Sequence, residues 1–327
     1  MDRSESHRLD TGLANGERAL AATGEFTIEP VGPFSLRESA TFGFGQRAGR
    51  PFDGMMRLAF CLDHYREHVG VVLSQDDAGV HGQVYGSTDI AAVEAQVARV
   101  LSLDHDGEAF MAVGQRDPVV ARLLAVAPGL RPPLFHSPYE AAAWSVLSAR
   151  RPAAQMMTLR TRLSESHGLR FTLAGEQVAA FPLPAQIVEV DEFPGLPAVK
   201  LDRLHGVAAA ARGGLLDADT LRALPEERAS SQLQHLSGIG PFYSALVLLR
   251  ATGHADLLPT NEPQLLGLVA ELYGLPAPPG PERFAELAEP WKPFRTWISV
   301  LIRAAARRLP RVQAGRQVPT APRAART

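Results

Sequence analysis

Cysteine is nearly missing from this sequence: Cys61 is the one thiol in 327 residues. A single cysteine excludes an internal disulfide framework and a four-cysteine iron–sulfur cluster. Set in the apolar run MMRLAFCL, it reads as a small core residue. Long apolar runs are missing too, and none approaches the roughly 18 residues of a membrane-spanning helix. The opening MDRSESHRLD has acids where a signal peptide has an apolar core, so a cytoplasmic protein with no membrane partner is expected. The G-x-S-x-G elbow of serine hydrolases does not occur. Asp104-His105-Asp106-Gly107 opens like a calcium loop, but Ala109 stands at the glycine position and Gln115 at the closing acid. His64 and His68 lack a third ligand and read as a surface pair. Gly43-Phe44-Gly45-Gln46-Arg47-Ala48 echoes a dinucleotide fingerprint without a helix start behind it, and is read as a loop between strands. Acidic residues, finally, are missing after Glu289, whereas Lys292, Arg295, Arg303, Arg307, Arg308, Arg311, Arg316, Arg323 and Arg326 follow. The net charge of −2 gives no sign of nucleic-acid binding, but this basic end suits a phosphate backbone.

What is abundant is apolar side chain, 46% of the residues, enough for packed cores in a chain long enough for two domains. Residues 1–23 are polar and expected to be mobile, 24–112 to form a small α+β domain, 113–311 a helical domain, and 312–327 a basic disordered tail. In the first domain FTIEP, MMRLAFCL and VGVVLSQ are strand candidates. Residues 89–101 read as an amphipathic helix with Val93, Val97, Val100 and Leu101 on one face. From Asp104 onward the pattern is helical. Ser137-Pro138-Tyr139-Glu140 is a start signal, with Ser137 as cap and Glu140 closing a capping box. Further helices are expected over 155–167, 199–211, 225–236, 264–273, 281–288 and 293–308. The fold class is mostly α with an N-terminal α+β domain.

The stretch LSGIGPFYSALVLLR, residues 236–250, organises the helical part. Gly238 and Gly240 flank Ile239 in a tight turn, and Pro241 opens the next helix. With no Cβ at either glycine, the backbone N–H groups from Ser237 to Gly240 can close on a phosphate oxygen. Such a grip carries no base information. A glycine cap between two packed helices fits the same residues.

That hairpin, followed by Leu257-Leu258-Pro259 and by Trp291-Lys292-Pro293-Phe294-Arg295, and preceded by Ser137-Pro138-Tyr139-Glu140 with AAAWSVLS, resembles the helix-hairpin-helix DNA glycosylases. The bacterial 3-methyladenine DNA glycosylase II branch is the nearest in motif, and the likeness runs from about Phe26 to Arg308. The resemblance implies a helix-hairpin-helix glycosylase core behind the α+β domain, and a monomer in the bacterial cytoplasm. Its partner would be double-stranded DNA containing a damaged base. Its reaction would be hydrolysis of the N-glycosidic bond of alkylated purines after the base is flipped out, with no metal or cofactor. The absence of Lys at the Schiff-base position, where Tyr243 stands nearby, implies a monofunctional enzyme.

The family's carboxylate, which supports positive charge on the sugar, is an Asp a few residues beyond a Pro. Here the segment is Leu258-Pro259-Thr260-Asn261-Glu262-Pro263, with no Asp. The commoner spacing puts Glu262 at the catalytic position and the shorter one puts Asn261 there. Glu262 also fits as a first-turn acid compensating a helix dipole. In the turn that enters the minor groove, Arg150 and Arg151 stand, either filling the gap left by the base or ending a helix. Phe242, Tyr243 and Trp297 lie near the family's base-pocket positions, while Leu246 and Arg303 stand where an aromatic can occur. Phe242 and Trp297 also fit as core residues. With the Asp replaced, two functions stay open: a glycosylase, or a DNA-binding, lesion-sensing protein of the same fold without the chemistry.

Overall fold

The computed structural model describes residues 21–42 and 51–310. The expected mobile N-terminus up to residue 20, the 43–48 loop and the basic tail from 312 lie outside the described residues. Four strands, β1 (Ala22–Ile28), β2 (Met56–Cys61), β3 (His68–Asp76) and β4 (Gly79–Tyr85), form an antiparallel sheet in the order β1-β4-β3-β2, with α1 (Leu36–Thr41) between β1 and β2. The three strand candidates correspond to β1, β2 and β3. β4 escapes the pattern because GVHGQVY offers only Val80 and Val84 to the core. The hairpin joining β3 to β4 is held by Asp76 Oδ1, which accepts from the Ala78 N–H at 2.8 Å. Helix α2 (Ile90–Val100) starts at Asp89, whose carboxylate accepts from Ala92 N–H at 3.1 Å. Its Val93 and Val97, followed by Leu101, bury against Val69, Val71 and Leu73 of the sheet.

The other face of the sheet is covered by an element that sequence pattern placed among helices. A short hairpin, β5 (Arg170–Leu173) with β6 (Glu176–Ala179), sets Phe171 and Leu173 against Ala59, and Arg57 Nε donates to Leu173 O at 3.0 Å. The two strands come from the middle of the helical region.

The helices are α3 (Gly107–Met111), α4 (Pro118–Val126), α5 (Pro138–Ser148), α6 (Ala153–His167), α7 (Pro184–Ile187), α8 (Ala198–Arg212), α9 (Ala218–Ala223), α10 (Glu226–Gln234), α11 (Pro241–Ala251), α12 (Pro263–Tyr273), α13 (Pro281–Leu287) and α14 (Arg295–Ala305). They enclose two cores. One gathers α5 to α11 around Leu147, Leu204, Leu233 and Val247. The other gathers α3, α4, α12, α13 and α14 around Trp291 and Trp297. Burying a large apolar side chain contributes roughly 1.5–3 kcal/mol, so each core can carry its helices. Helix α5 is buried nearly all round, since Ala141, Ala142 and Ala143 let its neighbours approach closely.

The capping box at α5 is half formed. Ser137 Oγ accepts from Glu140 N–H at 3.2 Å, but the Glu140 side chain turns inward instead of back to the cap. A buried carboxylate needs cationic partners, and Glu140 has His136 Nδ1 at 3.2 Å and Arg160 Nη2 at 2.6 Å.

Candidate nucleic-acid interface and active site

The Gly-x-Gly turn sits between α10 and α11 as expected, and the two helices are tied by Ser230 Oγ and Ser244 Oγ at 3.0 Å. Ile239 points inward and is 3% exposed, which anchors the turn to the first core. Gly238 has φ +92°, a conformation that side chains rarely adopt, and a Cβ there would come within 2.9 Å of Arg203 Cδ. Gly240 is extended and faces open space. No side chain caps α11. Among the described residues, the N–H groups of Ser237, Gly238 and Gly240 have no acceptor within the chain. Unclaimed donors at a helix N-terminus form a site for an anion.

Arg150 and Arg151 lie in the turn between α5 and α6, both exposed, with Arg150 at φ +57°. The turn is braced from below by a residue that sequence pattern did not single out. Lys200, 8% exposed near the start of α8, donates to Val146 O at 3.0 Å, Leu147 O at 2.5 Å and Ala149 O at 3.1 Å. These are the orphan carbonyls at the end of α5. Burial pushes the Lys200 ammonium below its ordinary pKa, and Arg151 and Arg203 add to the effect. One turn along α8, Arg203 packs beside Gly238, with its Nε buried and without an acceptor among the described residues. Helix α8 thus links the arginine turn to the glycine hairpin. A buried lysine in mid-sequence carries no local signature, so only the packing reveals it.

The loop from α11 to α12 is fixed at its root. Asp256 takes a paired contact from Arg295, Oδ1 to Nε at 2.9 Å and Oδ2 to Nη2 at 3.0 Å. Thr296 Oγ1 donates to Leu257 O at 3.0 Å, and Thr296 N–H donates to Ala255 O at 2.9 Å. Asp256, the acid closest in sequence before the expected catalytic segment, is therefore committed to Arg295. Beyond it, Asn261 is exposed, and Glu262 is half-buried at the N-cap of α12. The Glu262 carboxylate does not cap its own helix. It forms an ion pair with Arg303 from the last turn of α14. Burial lowers the Arg303 pKa, with Arg307 adding to the effect. Arg250 Nη2 donates to Pro133 O at 2.7 Å, and its guanidinium lies 5.3 Å from the Phe42 ring centroid. Burial lowers the Arg250 pKa to about 9, with Arg303 contributing, which leaves it cationic at neutral pH.

The aromatics divide. Phe242 is 51% exposed on the first turn of α11 and meets Tyr243 edge-on at 5.2 Å. Trp297 is 2% exposed and packs against Phe110 at 4.9 Å, Phe294 at 5.1 Å and His105 at 5.3 Å. Trp297 thus lies in the second core. Its indole sits on the inward face of α14, while Arg303 faces the Glu262 loop.

No family model matches the chain. The probable bifunctional transcriptional activator/DNA repair enzyme AlkA of Mycobacterium tuberculosis is 28% identical over 288 residues, covering 86% of this chain and 52% of that protein. DNA-3-methyladenine glycosylase of Bacillus subtilis is 22% identical, over 60% of this chain and 66% of that protein. The chain thus spans about half to two-thirds of the length of these curated relatives. Among solved structures, a 3-methyladenine DNA glycosylase from Archaeoglobus fulgidus superposes with a TM-score of 0.70 at 20% identity, covering 87% of this chain and 98% of that one. The chain is a relative of the 3-methyladenine DNA glycosylases and has the helix-hairpin-helix glycosylase fold.

Proposed function

We propose that this protein is a base-excision DNA glycosylase that acts on double-stranded DNA containing a damaged base and hydrolyses the N-glycosidic bond. The observation that carries the reading is the hairpin of Ser237 to Gly240, whose unclaimed N–H groups offer a phosphate grip in a chain with the glycosylase fold. Arg150 and Arg151 supply a second contact, entering where a flipped base leaves the stack. Phe242 and Tyr243, exposed and half-buried on α11, offer faces on which a base can stack. The relatives' names point to alkylated bases as substrates. The reaction proceeds without a Schiff base, since no lysine takes that position, and the chain acts as a monomer.

Glu262 is the carboxylate of the site. It alone of the 258–263 segment bears a charge, and the Asp256–Arg295 clamp holds the root of its loop. Positive charge on the sugar in the transition state is stabilised by a fixed carboxylate nearby. Asn261, exposed and uncharged, could act only through ordered water. The relatives are named for enzymes, so the binding-only alternative draws no support from them.

The test is release of free base from alkylated duplex DNA by the full chain and by Glu262→Gln. The variant is expected to lose about 2.7–4 kcal/mol of transition-state support, a roughly hundred- to thousand-fold slower rate. Duplex affinity should hardly change, because the charge acts mainly in the transition state. Equal rates would move the role to Asn261, and no release by the wild type from any alkylated duplex would end the enzymatic reading.

A further inference from the structure

Arginines that serve the packing of this protein have partners. Arg57 pairs with Asp53, Arg99 with Asp63, Arg160 with Glu140 and Arg295 with Asp256. Arg203, half-buried on α8, departs from that rule. Among the described residues it has no ion-pair partner, and its Nε is buried without an acceptor. A buried donor left unpaired destabilises a fold, so packing does not account for the residue. Its neighbourhood adds no negative charge. Lys200, one turn back on the same helix, is taken up by the carbonyls at the end of α5. The start of α11, just past the hairpin, is the positive end of a helix dipole. The side chain is nevertheless seated, and the hairpin seats it. Arg203 Cδ, Nε and Nη1 lie 2.9, 3.3 and 3.5 Å from the point where a Cβ on Gly238 would stand. The missing Cβ that lets the turn take φ +92° therefore also makes room for a guanidinium. That guanidinium lies against the turn whose Ser237, Gly238 and Gly240 N–H groups have no acceptor within the described chain.

We propose that Arg203 is a phosphate-binding residue that completes the hairpin grip, donating to the same DNA phosphate that the N–H groups of Ser237 to Gly240 hold. This rests on the reading of the chain as a protein that binds duplex DNA. A phosphate is the ligand that fits, because it accepts from several N–H donors at once and brings the negative charge that Arg203 lacks. The backbone N–H groups are neutral, so they orient a phosphate without neutralising it. Arg203 neutralises it and displaces a counterion, which makes the hold dependent on salt. The planar guanidinium can take two phosphate oxygens together, which an ammonium cannot. Contact of this kind carries no base information, so Arg203 raises affinity for intact and damaged duplex alike. Gly238 is then needed twice, for the left-handed backbone of the turn and for the passage of Arg203.

The experiment measures duplex affinity at several salt concentrations for wild type, Arg203→Met and Arg203→Lys. Intact and tetrahydrofuran-containing duplexes of two unrelated sequences are used, and the thermal midpoint of each protein is taken without DNA. Arg203→Met should weaken binding by about tenfold on all of these duplexes and lower the salt slope by about 0.9, one phosphate's worth. Its midpoint without DNA should stay or rise, because a buried unpaired donor is gone. Arg203→Lys keeps the charge and should keep the slope, while losing part of the affinity with the paired contact. Single neutral methylphosphonates, placed in turn along both strands, locate the contact: at one position the loss should be smaller for Arg203→Met than for wild type. An unchanged slope, or losses that add to that of Arg203→Met at every position, overturns the proposal. A lowered midpoint with wild-type binding would give Arg203 a structural role instead. If the wild type binds no duplex, the glycosylase reading itself fails; if it binds and Arg203→Met matches it, only the role of Arg203 does.

Discussion

Glu140 is a residue whose chemistry and burial are in tension. Burial raises the pKa of a carboxylate, and this one is 1% exposed. His136 and Arg160 outweigh that effect and hold it at about 2. A depressed carboxylate adds stability above its unfolded pKa, and that contribution is lost as pH falls through its folded value. The window therefore runs from about 4.5 down to about 2. Glu140→Gln should cost roughly 3–5 kcal/mol at pH 7, because Arg160 loses its counter-charge in a buried site. The difference in urea midpoint between wild type and variant should narrow as pH drops through that window. A pH-independent difference would mean that lost packing, not charge, accounts for the cost. In sequence Glu140 reads as a capping-box acid, because the local S-P-Y-E spacing is visible and Arg160, twenty residues on, is not.

Elements divide by how local their signals are. The glycine hairpin is legible because a tight turn demands its residues in a short stretch, and the structure separates their roles. Gly238 needs its positive φ, while Gly240 has open space, so Gly240→Ala tests phosphate approach without straining the turn. The β5–β6 hairpin was legible in principle, since Ala174-Gly175 is a two-residue turn with both residues at positive φ. Its strands, RFTL and EQVA, are too short to stand out among helices. Helix α8 was legible as a helix, but its bracing role was not, because that depends on where α5 ends. Lys200→Met keeps the stem and leaves three carbonyls without their donor. It should destabilise the fold by about 1–3 kcal/mol. Arg151→Ala should leave stability alone and lower the salt slope of duplex binding by about 0.9, one phosphate's worth. Calorimetric unfolding together with affinity at several salt concentrations separates the two, and an unchanged slope would place Arg151 off the DNA.

At the scale of the whole molecule, the sheet and the helical cores are joined by buried arginines as well as by apolar contacts, which include Cys61 and Tyr65 in the first helical core and Ala59 against Phe171. Arg131 is fully buried and donates to carbonyls from two distant stretches: Val31, Gly32 and Pro33 before α1, and Ser102 and His105 after α2. Its guanidinium also lies 5.9 Å from the Phe34 ring and 6.0 Å from Trp297. Arg99 of α2 reaches Ala251 O at the end of α11 at 2.6 Å and pairs with Asp63 at 2.6 Å. Arg250, beside the Glu262 site, lies over Phe42 from the N-terminal part. The sheet domain therefore helps to support the helix ends that form the site. Arg131→Met removes the donor from five carbonyls, of which Ser102 O is the buried one and the others are partly open to water, a cost of about 1–3 kcal/mol. The loss should be uneven. Amide exchange should accelerate in β1, β4 and α2, where the clamp holds the sheet, more than in α5 and α11, which keep their own core. Base release should fall as well, because Arg250 and Phe42 meet across the same junction. Uniform acceleration throughout the chain would mean that Arg131 supports global stability without joining two parts. Unaltered exchange in β1 and β4 would mean that the apolar contacts of the sheet hold it in place by themselves.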